Sequence, residues 1–230
     1  MGVRWCALVT AAGQGRRFGR RKQLAELLGR PLVAWSVATF ASMEEVAAIV
    51  VACEADERER MAELLQPVAA GKLAAVVPGG QTRQASVARG LAAVPAECEG
   101  IFVHDGARPL VSVADVRATL QAVRAGRAAV LASPAVDTMK RVDERGRIIE
   151  TLPRSELWAA STPQAFMAGD LRAAHEAAAH DGVVQTDDAA LAERIGIEAV
   201  VVAAQSPNPK VTHPTDLDVV ERLANAHGHR

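Results

Sequence analysis

The stretch Cys6-Ala-Leu-Val-Thr-Ala-Ala-Gly-Gln-Gly-Arg-Arg-Phe-Gly-Arg-Arg-Lys-Gln23 governs the reading of the whole chain. An apolar run ends in small residues, then gives way to glycines and to a dense cluster of cations. That order predicts a buried strand that delivers a phosphate-gripping loop. Gly13 and Gly15 have no Cβ, so the backbone there can turn sharply and bring its N–H groups close to an anion. Arg16, Arg17, Arg20, Arg21 and Lys22 place five positive charges within seven positions. By itself the stretch also suits a plain strand-to-helix turn or a nucleic-acid patch, and the neighbouring motifs have to decide.

Working outward, Pro31 to Met43 predicts a helix opened by proline at its first turn, with Leu32, Trp35, Val37 and Phe40 near one face. Val46 to Cys53 is a β-branched run and reads as a second buried strand. Asp56 to Gln66 has helical spacing, Lys72 to Val77 is a strand, and Thr82 to Val94 is an amphipathic helix after the Pro78-Gly79-Gly80 turn. Gly100 to Val103 is a fourth strand, Val113 to Val123 a helix and Ala128 to Val136 a fifth strand. Alternation of this kind argues a Rossmann-like α/β fold, a mostly parallel sheet flanked by helices. It breaks at Thr138 to Leu152, which reads as a polar hairpin around a Glu-Arg-Gly turn, extruded from a single domain spanning 1–230. A lone hairpin is marginal in water, so a second subunit is its expected support. Beyond it, Leu171 to Ala179, Ala189 to Ile195 and Thr215 to Ala226 have helical spacing, and Ala199 to Ala203 is a strand.

The chain has 230 residues, half of them apolar, which suffices for a substantial core. Lys plus Arg number 26 and Asp plus Glu 27, so the net charge of −1 gives no global attraction to nucleic acid or membrane. Any anion site must therefore be local. Cys6, Cys53 and Cys98 are widely spaced within or beside apolar runs and read as core thiols of a reducing compartment. No secretory signal opens the sequence and no apolar stretch is long enough to span a membrane, so a cytoplasmic protein is expected.

In an open α/β sheet, ligands bind beyond the carboxyl ends of the strands, and the informative polar residues cluster there. Arg17 and Lys22 follow the first strand, Gly80, Arg83 and Ser86 the third, Asp105 and Arg108 the fourth, Asp137 and Thr138 the fifth. Asp105 closes Ile101-Phe-Val-His-Asp105, so its carboxylate should enter the same crevice as the loop. Facing phosphates, it would hold a hard divalent cation such as magnesium; capping the next turn or pairing with Arg108 is the plainer role. His104 is expected to pack under the loop and Trp158 to lie in the core. Asp187 and Asp188 are expected to cap the following helix or to order the site from behind.

The ordered set Ala11-Ala12-Gly13-x-Gly15-x-Arg17 with Lys22, Gly79-Gly80-x-x-Arg83-x-x-Ser86, His104-Asp105-x-Ala107-Arg108-Pro109, Asp137-Thr138-Met139-Lys140, Thr162-Pro163-Gln164, Thr186-Asp187-Asp188 and Lys210-Val211-Thr212 resembles the 2-C-methyl-D-erythritol 4-phosphate cytidylyltransferase family. The resemblance implies joining of CTP to 2-C-methyl-D-erythritol 4-phosphate with release of pyrophosphate, in non-mevalonate isoprenoid precursor synthesis. It implies that Ala11, Ala12, Gly13 and Gly15 wrap the triphosphate and that Gly80 and Ser86 contact cytosine and ribose. Arg17 and Lys22 would stabilise the transition state, and Asp105 would serve nucleotide and Mg2+. Arg108, Thr138, Arg154, Thr162 and Lys210 would hold the polyol phosphate, with Thr138 and Arg154 reaching a partner's site through the hairpin arm of a homodimer. Departures from the family pattern are Arg21 before the loop lysine, Gly106, and Pro209, which restricts Asn208 and so bears on how Lys210 is presented.

Two competitors stand beside this reading, one an enzyme of the same design and one of a different class. A ribitol 5-phosphate cytidylyltransferase shares the design and differs in the polyol pocket. A non-catalytic nucleotide-binding module is disfavoured as a dinucleotide binder, because Gly13-x-Gly15-x-x-Phe18 lacks the third small residue and Glu54 lies about forty positions on rather than about twenty.

Overall fold

The computed structural model describes residues 2–13, 18 and 22–226, with Lys22 described in its backbone alone. Strand β1 (Trp5–Ala11) leads through the two-residue strands β2 (Glu26–Leu27) and β3 (Arg30–Pro31) into α1 (Leu32–Ala41) and β4 (Val46–Cys53). There follow α2 (Arg58–Leu65), β5 (Leu73–Pro78), α3 (Arg83–Leu91), β6 (Gly100–Asp105), α4 (Val113–Ala122) and β7 (Arg127–Pro134). The arm strands β8 (Lys140–Val142) and β9 (Ile148–Thr151) precede β10 (Trp158–Met167), α5 (Ala168–His180), α6 (Asp188–Arg194), β11 (Glu198–Ala203) and α7 (Asp216–Ala226).

A seven-stranded sheet in the order β11-β7-β10-β6-β1-β4-β5 forms the middle layer. The pairs β1–β4, β1–β6, β4–β5 and β7–β11 are parallel. Parallel strands covered on both sides need continuous apolar runs, and alternation along β1 shows why. Trp5, Ala7, Val9 and Ala11 join the layer built with Phe40 and Phe102, whereas Cys6 and Leu8 join the opposite layer with Leu91, Phe166 and Leu171. Trp5 stacks on Phe102 with ring centroids 4.4 Å apart, which anchors the first layer at the foot of β1. The three cysteines are buried and unlinked.

Thr82, Ser112 and Asp187 cap α3, α4 and α6, each side-chain oxygen accepting from the amide three residues on. Those caps fix where each helix starts, and hence what stands at the strand ends.

The sheet departs from the sequence reading at β10, which lies antiparallel between β6 and β7 where no strand was expected. Pro163 within it argues against a central strand. The ladder tolerates it because the register with β7 shifts between Ala160 and Gln164, so the proline falls where regular pairing is interrupted. Trp158 is a second correction: it is 39% exposed, opposite Pro134 at the base of the arm, and not in the core.

The arm itself is an antiparallel pair, Lys140 opposite Thr151 and Arg141 opposite Glu150, detached from the main sheet. Its charges suit water, but so polar a reading misses its apolar residues: Val142, Ile148 and Ile149 are 51%, 64% and 63% exposed, the two isoleucines on opposite faces of their strand. Among the described residues, no helix is long and apolar enough to cross a membrane.

Helix α3 packs on β1 through Gly90, where a Cβ would lie 2.8 Å from Leu8 Cδ1 and 2.9 Å from Leu8 Cγ. Leu8 is fully enclosed and cannot step aside freely. Gly90→Ala would gain up to ~1 kcal/mol of helix propensity, yet overpacking costs ~1–3 kcal/mol. We expect a net loss of stability in chemical denaturation, and a gain would show that α3 floats on the sheet.

Candidate active site

Strands β4 and β5 extend the sheet on one side of β1, and β6 returns to the other, so the chain reverses its winding at β1. At such a switch point the connections part and leave a crevice beyond the strand ends. A cleft of about 880 Å³ opens there, lined by Ala12 and Gly13 after β1, Gly79, Gly80 and Ser86 after β5, and Asp105 at the end of β6.

The two loops meet because their residues are small. Gly79 donates from its amide to Cys53 O at 2.7 Å, and a Cβ on it would fall 2.0 Å from that of Ala12. Any side chain at 79 would thus push the β1 loop off the wall. Gly80 donates from its amide to Ser86 Oγ at 3.0 Å, and Ser86 Oγ in turn donates to Thr82 O at 2.9 Å. The Ser86 hydroxyl shapes the turn that presents Gly80 to the cleft. On the other side, the Gln23 amide donates to Gly13 O at 3.2 Å and ties down the start of the loop.

Asp105 forms the floor. Its Oδ1 accepts from Arg83 Nε at 3.0 Å and its Oδ2 from Lys210 Nζ at 2.6 Å, with Arg108 Nε 3.9 Å from Oδ2. Burial opposes ionisation of Asp105, but Arg83 and Lys210 outweigh it and hold the carboxyl well below the usual carboxylate range. Arg83 is pushed up: burial acts against its charge, and Asp188 and Asp105 more than offset that. For Arg108, burial dominates and lowers the value.

The segment carrying Lys210 is fastened at several points. Asn208 O accepts from Arg108 Nη1 at 2.9 Å, Asn208 Oδ1 accepts from the Leu110 amide at 2.9 Å, and the Val211 amide donates to Ala107 O at 2.9 Å. The conformational restriction that Pro209 imposes on Asn208 is therefore consistent with a lysine aimed into the cleft.

Under the floor, the Asp105 amide donates to Thr162 Oγ1 at 3.1 Å, and that oxygen lies 3.0 Å from His104 Nδ1. His104 Nε2 lies 3.0 Å from Arg108 O, a pure acceptor, so Nε2 carries the proton. Nδ1 is then unprotonated and accepts from the Thr162 hydroxyl. This ring is fully enclosed, and burial pushes it down to about 4. His104 is thus a neutral strut, as expected from the sequence.

The structure brings Ala12, Gly13, Gly80, Ser86, Asp105 and Lys210 to one cleft. Ala11 is buried in β1 just behind it, and Arg108 stands beside Asp105. Thr162 is not among the residues lining this chain's cleft: the residue is 4% exposed and its hydroxyl oxygen accepts from the Asp105 amide. Thr138 and Arg154 are not brought in either, lying exposed at the arm, where Arg154 Nη1 donates to Val136 O at 3.1 Å. Gly15, Arg17 and the Lys22 side chain lie outside the described residues.

Sequence reasoning gave no role to Arg83, which the structure places on the cleft wall against Asp105. The signal was its fixed place three residues after Gly80, at the first turn of α3. Glu54, at the end of β4, also lines the cleft. Asp187 does cap α6, its Oδ1 accepting from the Ala190 amide at 3.0 Å. Among the described residues, no three His, Cys, Asp or Glu side chains gather as a metal cage. A divalent cation would therefore have to draw most of its ligands from substrate oxygens and water.

The sequence profile of the family described as 2-C-methyl-D-erythritol 4-phosphate cytidylyltransferase matches residues 5–225. The protein of that name from Parasynechococcus marenigrum (strain WH8102) is 43% identical over 218 residues, covering 94% of this chain and 96% of its own. That from Pelotomaculum thermopropionicum is 39% identical over 223 residues, 96% and 94% of the two chains. Among solved structures, the 4-diphosphocytidyl-2C-methyl-D-erythritol synthase of Anaerococcus prevotii superposes with a TM-score of 0.85 at 28% identity, over 100% of both chains. The 2-C-methyl-D-erythritol 4-phosphate cytidylyltransferase of Thermus thermophilus does so at 0.78 and 33%, over 98% of this chain and 100% of that one.

His104 gives the site a pH signature. Below pH 6.5 an unfolded histidine takes up a proton that folded His104 refuses until about pH 4, so its contribution is complete above 6.5 and lost as pH falls through that window. Between pH 7 and pH 5 the wild-type chain should lose ~2 kcal/mol more stability than His104→Gln. Equal pH slopes in denaturant titrations would mean that His104 is protonated in the folded state.

Proposed function

As the chain belongs to the 2-C-methyl-D-erythritol 4-phosphate cytidylyltransferase family, we propose a division of labour within its cleft for that family's reaction. The enzyme is a nucleotidyltransferase that joins CTP and 2-C-methyl-D-erythritol 4-phosphate into 4-diphosphocytidyl-2-C-methyl-D-erythritol, releasing pyrophosphate, in isoprenoid precursor synthesis.

A phosphate oxygen attacks the α-phosphorus of CTP in line, so the protein has mainly to position two anions and neutralise their charge. No general base is needed, since a phosphate monoester with a second pKa of ~6 is largely ionised near neutrality. We assign the triphosphate to Ala11, Ala12, Gly13 and Gly15, whose small side chains let backbone amides approach it. Gly80 and Ser86 receive the cytidine: the turn held by the Ser86 hydroxyl turns backbone, and not a bulky side chain, towards the base. Arg17 and Lys22 neutralise the charge that builds on the transferring group. Lys210 and Arg108 attract the attacking phosphate, and Asp105 sets Lys210 in place.

Asp105 also suits magnesium, which takes one or two carboxylates and completes its shell with phosphate oxygens and water. Bound there, the cation would lower the charge barrier between the two anions. The observation that carries this reading is the Asp105–Arg83–Lys210 cluster at the switch point, facing two glycine-lined loops across one cleft.

Thr138 and Arg154 complete the polyol-phosphate site of a partner in a homodimer, in our reading. Support comes from the exposed Val142, Ile148 and Ile149, apolar residues on both faces of an arm that a second copy wrapped around it would shelter. A cytoplasmic location fits three buried, unlinked thiols.

Pyrophosphate release should be seen with CTP and 2-C-methyl-D-erythritol 4-phosphate; turnover of ribitol 5-phosphate alone would move the chain to the other polyol. If Arg154 acts in trans, Arg154→Ala and Lys22→Ala chains, each inactive, should recover about a quarter of wild-type activity on equal mixing, since random heterodimers carry one intact site in two. No recovery would mean that each site is built within one chain.

A further inference from the structure

Behind the cleft floor lies a buried polar cluster that the proposed chemistry leaves unused. Asp188, fully enclosed at the first turn of α6, accepts from Arg83 Nη1 at 2.5 Å on Oδ2 and from His175 Nε2 at 2.9 Å on Oδ1. Gln164 of β10 holds that turn in place, its Oε1 accepting from the amides of Asp188 and Ala189, both at 3.1 Å. Gln84 of α3 ties down the loop between α5 and α6, donating to Val183 O at 3.0 Å and accepting from the Gln185 amide at 2.9 Å.

The Arg83 guanidinium is thereby gripped twice. Asp105 takes Nε and Asp188 takes Nη1, so the planar fork cannot rotate. Its remaining nitrogen, Nη2, is buried with no hydrogen-bond partner among the described residues, and Arg83 lines the cleft. A buried donor left unmade is costly, which makes this nitrogen a place for an incoming acceptor. Gly80 and Ser86, assigned above to the cytidine, lie on the same wall.

We propose that Arg83 binds CTP through Nη2, donating to an oxygen of the nucleotide, and that Asp188, backed by His175, is the positioning residue that fixes the guanidinium for that contact. An ordinary buried ion pair would need only one carboxylate; here a second, placed by three separate elements, holds the cation that faces the cleft. Burial opposes ionisation of Asp188, but the bond from His175 and the charge of Arg83 prevail and lower its value.

The inference rests on the cytidylyltransferase reading, and the two fail differently: an inactive wild-type chain removes that reading, whereas the variants below test this one within an active enzyme. Asp188→Asn keeps the shape but loses the charge; Arg83→Lys keeps the charge but loses the fork. Each should raise the KM for CTP about tenfold or more, the scale of one charge-assisted hydrogen bond, and leave the KM for the polyol phosphate unchanged. Because Asp188 acts through Arg83, the double variant should be no worse for CTP than Arg83→Lys alone. Wild-type CTP affinity in a folded Asp188→Asn chain, equal rises in both KM values, or losses that simply add would overturn the proposal. Should Asp188→Asn not fold, the same cycle run with His175→Gln decides, with additive losses again counting against it.

Discussion

A single buried carboxylate organises this molecule. Asp105 ends a strand whose residues are all enclosed, and reaches α3 through Arg83, the segment before α7 through Lys210, and β10 through the Thr162 hydroxyl under its own amide. Buried ion pairs are weak sources of stability, because desolvation offsets most of the attraction. What they do well is fix geometry, since a displaced partner leaves a charge stranded. Here that rule fixes Arg83 and Lys210 in the lining of one cleft, with Arg108 beside them at Asp105. Removing Asp105 would therefore disturb the placement of Lys210 and Arg83 more than it would the fold.

The second constraint is steric. Two loops from different strands must approach until backbone faces backbone, and Gly79 against Ala12 leaves no room for even a methyl group. Small residues at strand ends are thus the counterpart of the cations: they let backbone close on backbone beside the charged floor of the cleft. Both features lie in short sequence motifs, which is why the gathering of Ala12, Gly13, Gly80, Ser86 and Asp105 at one cleft was legible in the sequence. Runs such as Val46–Cys53 are equally plain, because a strand buried on both faces has to be apolar throughout.

What sequence reading missed is what depends on distant pairs. Strand β10 mixes small, polar and proline residues and has no periodicity of its own; it is a strand because β6 and β7 flank it. Thr162, identified by resemblance as a substrate ligand, supports Asp105 from below in this chain. Asp187 and Asp188 look alike on paper and diverge in space: one caps α6, the other crosses to Arg83 and His175. No local signal separates them, since the partners are 105 and 13 positions away.

Strand β10 also explains the arm. Strand β7 runs parallel to β6 by way of their shared antiparallel neighbour, so its C-terminal end lies on the same edge of the sheet as Asp105. The chain leaves β7 there, forms the arm, and re-enters at the start of β10, with Trp158 opposite Pro134. An inserted antiparallel strand thus forces the hairpin to emerge from the cleft edge. Had β10 run parallel, the connection would have had to cross the sheet to its opposite edge, as parallel pairing requires. The exposure of Thr138 and Arg154 on the arm, away from their own cleft, follows from that one reversal.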